Sequence, residues 1–154
     1  MSSNPFRGAF PHQHRDPRGL AERIEAQLAE RIAEAVDMAA LKLMVELRQH
    51  HGRPAPETSN DADRQEFERL SADVLAHLHG AFQTELSGAD RAELDRAEAV
   101  AKDLRERYLS GQVLLARRLS DYWQRFEIHQ AQFAESRLAA PPKKDGWLTR
   151  LFRS

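Results

Sequence analysis

The sequence predicts an all-α fold, an elongated helical hairpin or three- to four-helix bundle with one long C-terminal helix. Three observations carry this. Apolar residues recur at intervals of three and four, a spacing that gathers them on one face of a helix. Prolines and glycines cluster in a few short stretches and leave long segments uninterrupted between them. Strong helix formers fill those segments, with 41% hydrophobic and 31% charged residues over the chain. The same punctuation divides the 154 residues into a flexible basic arm (1–16), a helical bundle or coiled-coil domain (17–140), and a Pro-Lys linker with an amphipathic tail (141–154).

In the arm, prolines and glycines recur without any apolar periodicity. Asp16-Pro17 then supplies an N-cap followed by proline at the first helical position, where its missing N–H costs nothing. The first helix follows through Leu20, Ile24, Leu28, Ile32, Val36, Ala39, Leu43 and Leu47 to about His50. Its second half, AEAVDMAALKLMVEL, is apolar around most of its circumference, so burial against more than one neighbour is expected. Gly52, Pro54 and Pro56 end it. Asp63 with Glu66 reads as a capping box opening the second helix, whose stripe is Phe67, Leu70, Val74, Leu78, Phe82 and Leu86. Gly88 closes it, and Asp90 with Glu93 repeats the capping pattern for the third helix. No proline interrupts residues 90–140, and only Ser110-Gly111 offers a break. The stripe keeps phase across that glycine through Tyr108, Leu115, Leu119, Tyr122, Trp123, Phe126 and Phe133, so one long helix is expected there.

A length of 154 residues fits one domain that buries its own core. There is no cysteine, which excludes a disulfide framework, a zinc-thiolate site and a thiol nucleophile. No signal-type apolar run opens the chain and no stretch is long enough to span a membrane, so the expected place is the cytoplasm, free or bound to a larger assembly or to a membrane's inner face. The net charge of −1 conceals an asymmetry: residues 1–19 carry +2, residues 141–154 carry +3, and the body between them −6. Basic ends on an acidic body suit short segments that seek acidic surfaces, not a uniformly basic nucleic-acid binder.

Catalytic motifs are missing: there is no Gly-rich phosphate loop, nucleophile elbow or His-Glu-x-x-His. His77 and His79, two apart, fall on nearly opposite helix faces and cannot share a metal. No histidine has an acidic residue three positions before it, as a di-iron bundle requires. Arg125 and His129 are too closely spaced for the Arg-x4–6-His signature of helical HEPN ribonucleases. The expectation is therefore no enzyme, no metal and no cofactor.

Three groups of residues invite a binding role. On a continuous helix Arg96, Arg107, Arg118 and Arg125 would fall within about 40° of one another, a row able to track phosphates, although Asp103 and Asp121 stand four before two of them and can pair with them. The aromatics Tyr122, Trp123, Phe126 and Phe133 form a stripe wide enough for core or for a dimer or partner interface. In the tail, Trp147, Leu148, Leu151 and Phe152 lie opposite Arg150 and Arg153 on a helical projection, the pattern of an interfacial anchor or of a peptide that docks in a groove. Asp145-Gly146-Trp147-Leu148-Thr149 resembles the Asp-Gly-x-Leu-Thr start of cargo-loading peptides that dock into encapsulin shells. The likeness covers five residues, and Arg150-Leu151-Phe152-Arg153 replaces the Gly-Ser-Leu that follows there, so it illustrates tag-mediated docking and goes no further.

The sequence is thus read as a non-enzymatic helical adaptor, scaffold or accessory subunit. It is expected to oligomerise, as a dimer, through the long helix and to dock through its tail on a partner protein or an anionic membrane. The alternative is a small helical subunit of a nucleic-acid complex that uses the arginine row.

Overall fold

The computed structural model describes residues 19–140; the arm and the tail, with the tail's Trp147, Leu148, Arg150, Leu151, Phe152 and Arg153, lie outside them. The described chain forms five helices: α1 (Leu20–His50), α2 (Asp61–Glu85), α3 (Gly88–Ala99), α4 (Leu104–Arg118) and α5 (Tyr122–Ala139). None of them is long and apolar enough to cross a membrane.

α1 and α2 follow the periodicity closely. Ile32, Val36, Leu43 and Met44 of α1 and Val74, Leu75, Leu78 and Phe82 of α2 are all buried, which is the expected consequence of two apolar stripes meeting. α1 packs on α2, α4 and α5, yet Met38 and Leu41 stay exposed, so its apolar second half is not covered all round. The helix ends in a Schellman motif. Gly52, at φ +65°, turns the chain so that its N–H donates to the Gln49 carbonyl while that of Arg53 donates to the Arg48 carbonyl. Arg48 itself is buried and locks the following loop. Its guanidinium donates to Asp63 at 2.7 Å, to Glu66 and to the Pro54 carbonyl. The hydrogen bond to Asp63 raises the pKa of Arg48 and lowers that of the carboxyl.

The expected caps shift by one turn. Asn60, not Asp63, caps α2 by accepting from the Asp63 N–H, which frees the Asp63 carboxylate for Arg48. Ser87, not Asp90, caps α3, accepting from the Asp90 N–H and donating to its carboxylate; Gly88 opens this helix instead of closing the one before.

The single long helix expected over 90–140 is three helices, and neither break falls at Gly111. Asp103 accepts from the Glu106 N–H at 2.8 Å and the Glu106 carboxylate accepts from the Lys102 N–H, so a reciprocal cap starts α4 in the middle of the uninterrupted stretch. A second turn at residues 119–121 reverses the chain into α5. An unbroken helix of this length would span about 75 Å. Folding it twice lets α4 and α5 both return onto α1 and α2. Gly111 is used for packing: a Cβ there would meet Glu98 Oε1 at 2.6 Å and Leu94 Cδ1 at 3.0 Å, so its absence lets α3 cross α4 closely.

Candidate functional site

The breaks within residues 90–140 spread the expected arginines over three helices and keep the four aromatics on one. Arg96 lies on α3, Arg107 and Arg118 on α4, and Arg125 on α5, so the four arginines do not form one row. Arg118 pairs with Asp90 at 2.8 Å and Glu93 at 2.5 Å, and Arg125 with Asp121 at 2.9 Å and Glu85 at 3.5 Å. Asp103, expected to pair with Arg107, is the cap of α4 instead. Two of the four arginines, Arg118 and Arg125, are thus held by carboxylates. Of the aromatic group, Tyr122, Phe126 and Phe133 are buried in the chain's own core. Tyr122 stacks on Phe82 with ring centroids 5.3 Å apart, and half-buried Trp123 lies under the Arg31 guanidinium at 4.7 Å. Three of the four residues assigned to an oligomer interface are therefore spent within the monomer.

Two polar clusters stand out, one in the interior and one that opens to the surface at Glu85. In the first, Glu98 of α3 is buried against Gly111 with His79 Nδ1 at 3.1 Å from its Oε1, within ion-pair range but not aligned for a hydrogen bond. Burial, reinforced by Asp95 and opposed by Arg107, pushes the Glu98 carboxyl up to about 7. Burial lowers the pKa of His79, with Asp95 opposing, and its ring stacks on Tyr108 at 4.3 Å. Alongside, the Tyr122 hydroxyl donates to the Gln112 side-chain oxygen at 2.7 Å, both residues fully enclosed. In the second cluster His129 Nε2 lies 2.6 Å from Glu85, while His77 packs on Phe133 and burial lowers its pKa. Among the described residues no three His, Asp or Glu side chains gather as a metal would need.

The open feature is a groove of about 730 Å³ along α1, α3 and α4. Its origin is a mismatch of lengths and side chains: α1 and α3 both pack on α4 and share no comparable contact with each other, leaving a trough floored by α4. Leu109, Val113 and Leu114 form that floor, and Ala26, Ala29 and Ala97 line the walls with side chains too small to fill the space. Glu22, Glu25, Asp103 and Glu106 stand around it with Arg105 and Arg117. Both arginines are engaged, Arg117 by Glu25 and Arg105 by Asp37 and Ser71, so the formal charge of the lining is negative. Glu98 and His79 do not line the groove. An apolar floor with an acidic rim is complementary in shape and charge to an amphipathic cationic segment.

Of the groove residues periodicity marks only Ala97, as part of the stripe that begins at Leu94, because a trough arises where three helices fail to fill a space. Glu98 did carry a readable signal. It stands four residues after Leu94, on the apolar stripe, where a carboxylate is out of place. No protein-family model, curated protein or solved structure matches the chain.

Proposed function

We propose that the chain is a non-enzymatic helical adaptor or accessory subunit, in which residues 19–140 are the folded body and residues 141–154 dock it to a partner protein. One observation supports this most. The core of the described residues runs from Ile32 to Phe133 with Tyr122 and Phe126 inside it, and beyond that span the sequence carries four further large apolar side chains, Trp147, Leu148, Leu151 and Phe152, set among basic residues as a docking segment would be.

A protein partner is favoured over a membrane by magnitude and charge. Full burial of Trp147, Leu148, Leu151 and Phe152 gains about 1.5–3 kcal/mol each. Ordering eight residues costs about 1–2 kcal/mol apiece in backbone entropy. What remains is small, even with about 1 kcal/mol per basic group near an anionic surface, and the −6 body is repelled by the same lipid. A concave protein surface adds side-chain complementarity and carries no such repulsion. The nucleic-acid reading retains Arg96 and Arg107, on two different helices, and steep salt dependence of RNA or DNA binding would revive it.

The test is crosslinked capture from native extract with full-length protein, residues 1–140, and the full-length Trp147→Asp/Phe152→Asp variant, together with flotation on anionic liposomes. Proteins recovered by the full chain and lost from both altered forms support the proposal. Identical recovery by all three refutes it, and flotation of the full chain alone replaces the protein partner with a membrane.

A further inference from the structure

We infer that the groove along α1, α3 and α4 is the resting place of the chain's own tail, so that the docking segment is held in cis until a partner displaces it. This rests on the docking role proposed for residues 141–154 and adds the site that regulates it.

Charge selects this occupant. The tail carries Lys143, Lys144, Arg150 and Arg153 against Asp145, a net +3, while the groove is rimmed by carboxylates on a body of −6. Arg105 and Arg117 at the rim are already paired, by Asp37 and Glu25, which limits their repulsion of an incoming cation. The apolar side of the tail matches a floor of Leu109, Val113 and Leu114. A volume of about 730 Å³ lies within the range of about 300–1,000 Å³ that holds a compact ligand.

The chain also reaches. Arg137, two residues before the end of α5, is tied to Asp73 at 2.9 Å, and Arg105, which lines the groove, is tied to Ser71 at 3.2 Å. Both anchors lie within one turn of α2, so the end of α5 and the Arg105 side of the groove meet α2 at the same level. Packed helices are about 8–10 Å apart axis to axis, so the crossing covers one or two helix spacings. From Ala140 to Trp147 the chain extends up to about 23–25 Å at 3.3–3.6 Å per residue.

Tethering decides the energetics. The burial gain of a free tail scarcely offsets its ordering cost, which makes it a weak ligand in trans. A linker of a few residues supplies an effective concentration on the order of millimolar, so a contact too weak in trans gains occupancy in cis. A partner then needs to exceed only that modest competition.

The experiment uses the full-length chain with Trp123→Phe, leaving Trp147 as its one tryptophan. Its emission is expected to be blue-shifted and shielded from acrylamide, unchanged on dilution, and red-shifted by high salt or by Glu22→Lys with Ala97→Lys in the groove. Adding Arg150→Glu and Arg153→Glu to those groove substitutions should restore the shielding, a rescue that general destabilisation would not produce; circular dichroism checks that every variant is folded. An exposed Trp147 in the parent overturns the inference. A shielded Trp147 that ignores the groove substitutions overturns it too, and shielding lost on dilution assigns the contact to a second copy. Capture of a partner is scored separately, so the docking role stands or falls independently of this result.

Discussion

Replacing Glu98 by glutamine should stabilise the protein at neutral and alkaline pH and leave it unchanged in acid. The carboxyl is held against Gly111 of α4, with His79 of α2, Asp95 of α3 and Arg107 of α4 as its charged or titratable neighbours. Burial raises its pKa from the ordinary 4.5 to about 7. A carboxyl raised in the folded state favours folding most when protonated. Its contribution is therefore complete below pH 4.5 and is lost as the pH rises through 7. At 1.36 kcal/mol per pH unit the loss amounts to about 3 kcal/mol. Glutamine keeps the shape of the protonated acid and does not titrate. Urea unfolding at several pH values measures the difference directly: with a slope of about 1–3 kcal/mol per molar, the midpoint of E98Q should exceed the parent's by roughly 1–3 M at pH 8 and converge with it near pH 4. His79 contributes in the opposite sense, since its lowered pKa favours folding at high pH and costs stability on acidification; because its Nδ1 lies 3.1 Å from Glu98 Oε1, the comparison is repeated in a His79→Gln background, which removes that contribution from both proteins. A difference that is constant with pH, or largest in acid, would refute the claim that Glu98 is buried at the cost of its charge.

Three further outcomes follow from the packing. Tyr122→Phe should cost about 1–3 kcal/mol in unfolding free energy, because it strands the Gln112 oxygen beside an amide nitrogen that already has no partner, and adding Gln112→Leu should recover most of that. Gly111→Ala should destabilise by about 1 kcal/mol despite a helix propensity gain of about the same size, since overpacking against Glu98 and Leu94 costs about 1–3 kcal/mol; in a Glu98→Ala background the penalty should vanish, as a double-mutant cycle would show. Gly52→Ala should cost about 1–2 kcal/mol in thermal or urea unfolding, because the residue closes the Schellman motif at φ +65°.

The parts of the fold that were legible in the sequence are those set by local periodicity. Ile32, Val36 and Leu43, and then Leu70, Val74, Leu78 and Phe82, lie in the core their spacing assigned them. The division of residues 90–140 was not read, because the stripe stays in phase across both breaks. The sign was present: Asp103 and Glu106 form the same S/T/D-x-x-E pattern that marked other helix starts, placed where an apolar stripe hid it. That oversight also produced the arginine row, which required a continuous helix. The aromatic group assigned to an interface puts Tyr122, Phe126 and Phe133 in the chain's own core, because α5 folds back onto Phe82, a tertiary event that periodicity does not encode. The groove belongs to the same class. Ala26, Ala29 and Ala97 look like ordinary helix formers until three helices meet around them.

A body that folds without the tail, and a tail that covers one face of it, make two separable demands on the molecule. Hydrogen–deuterium exchange of the full chain and of residues 1–140, compared peptide by peptide, tests both together. Protection in the cores of α1, α2 and α5 should be the same in the two proteins, while peptides covering residues 22–29 and 105–117 exchange faster once the tail is gone. Loss of protection throughout the truncated protein would make the tail part of the core, and exchange unchanged at every position would leave the groove uncovered; either result contradicts the account.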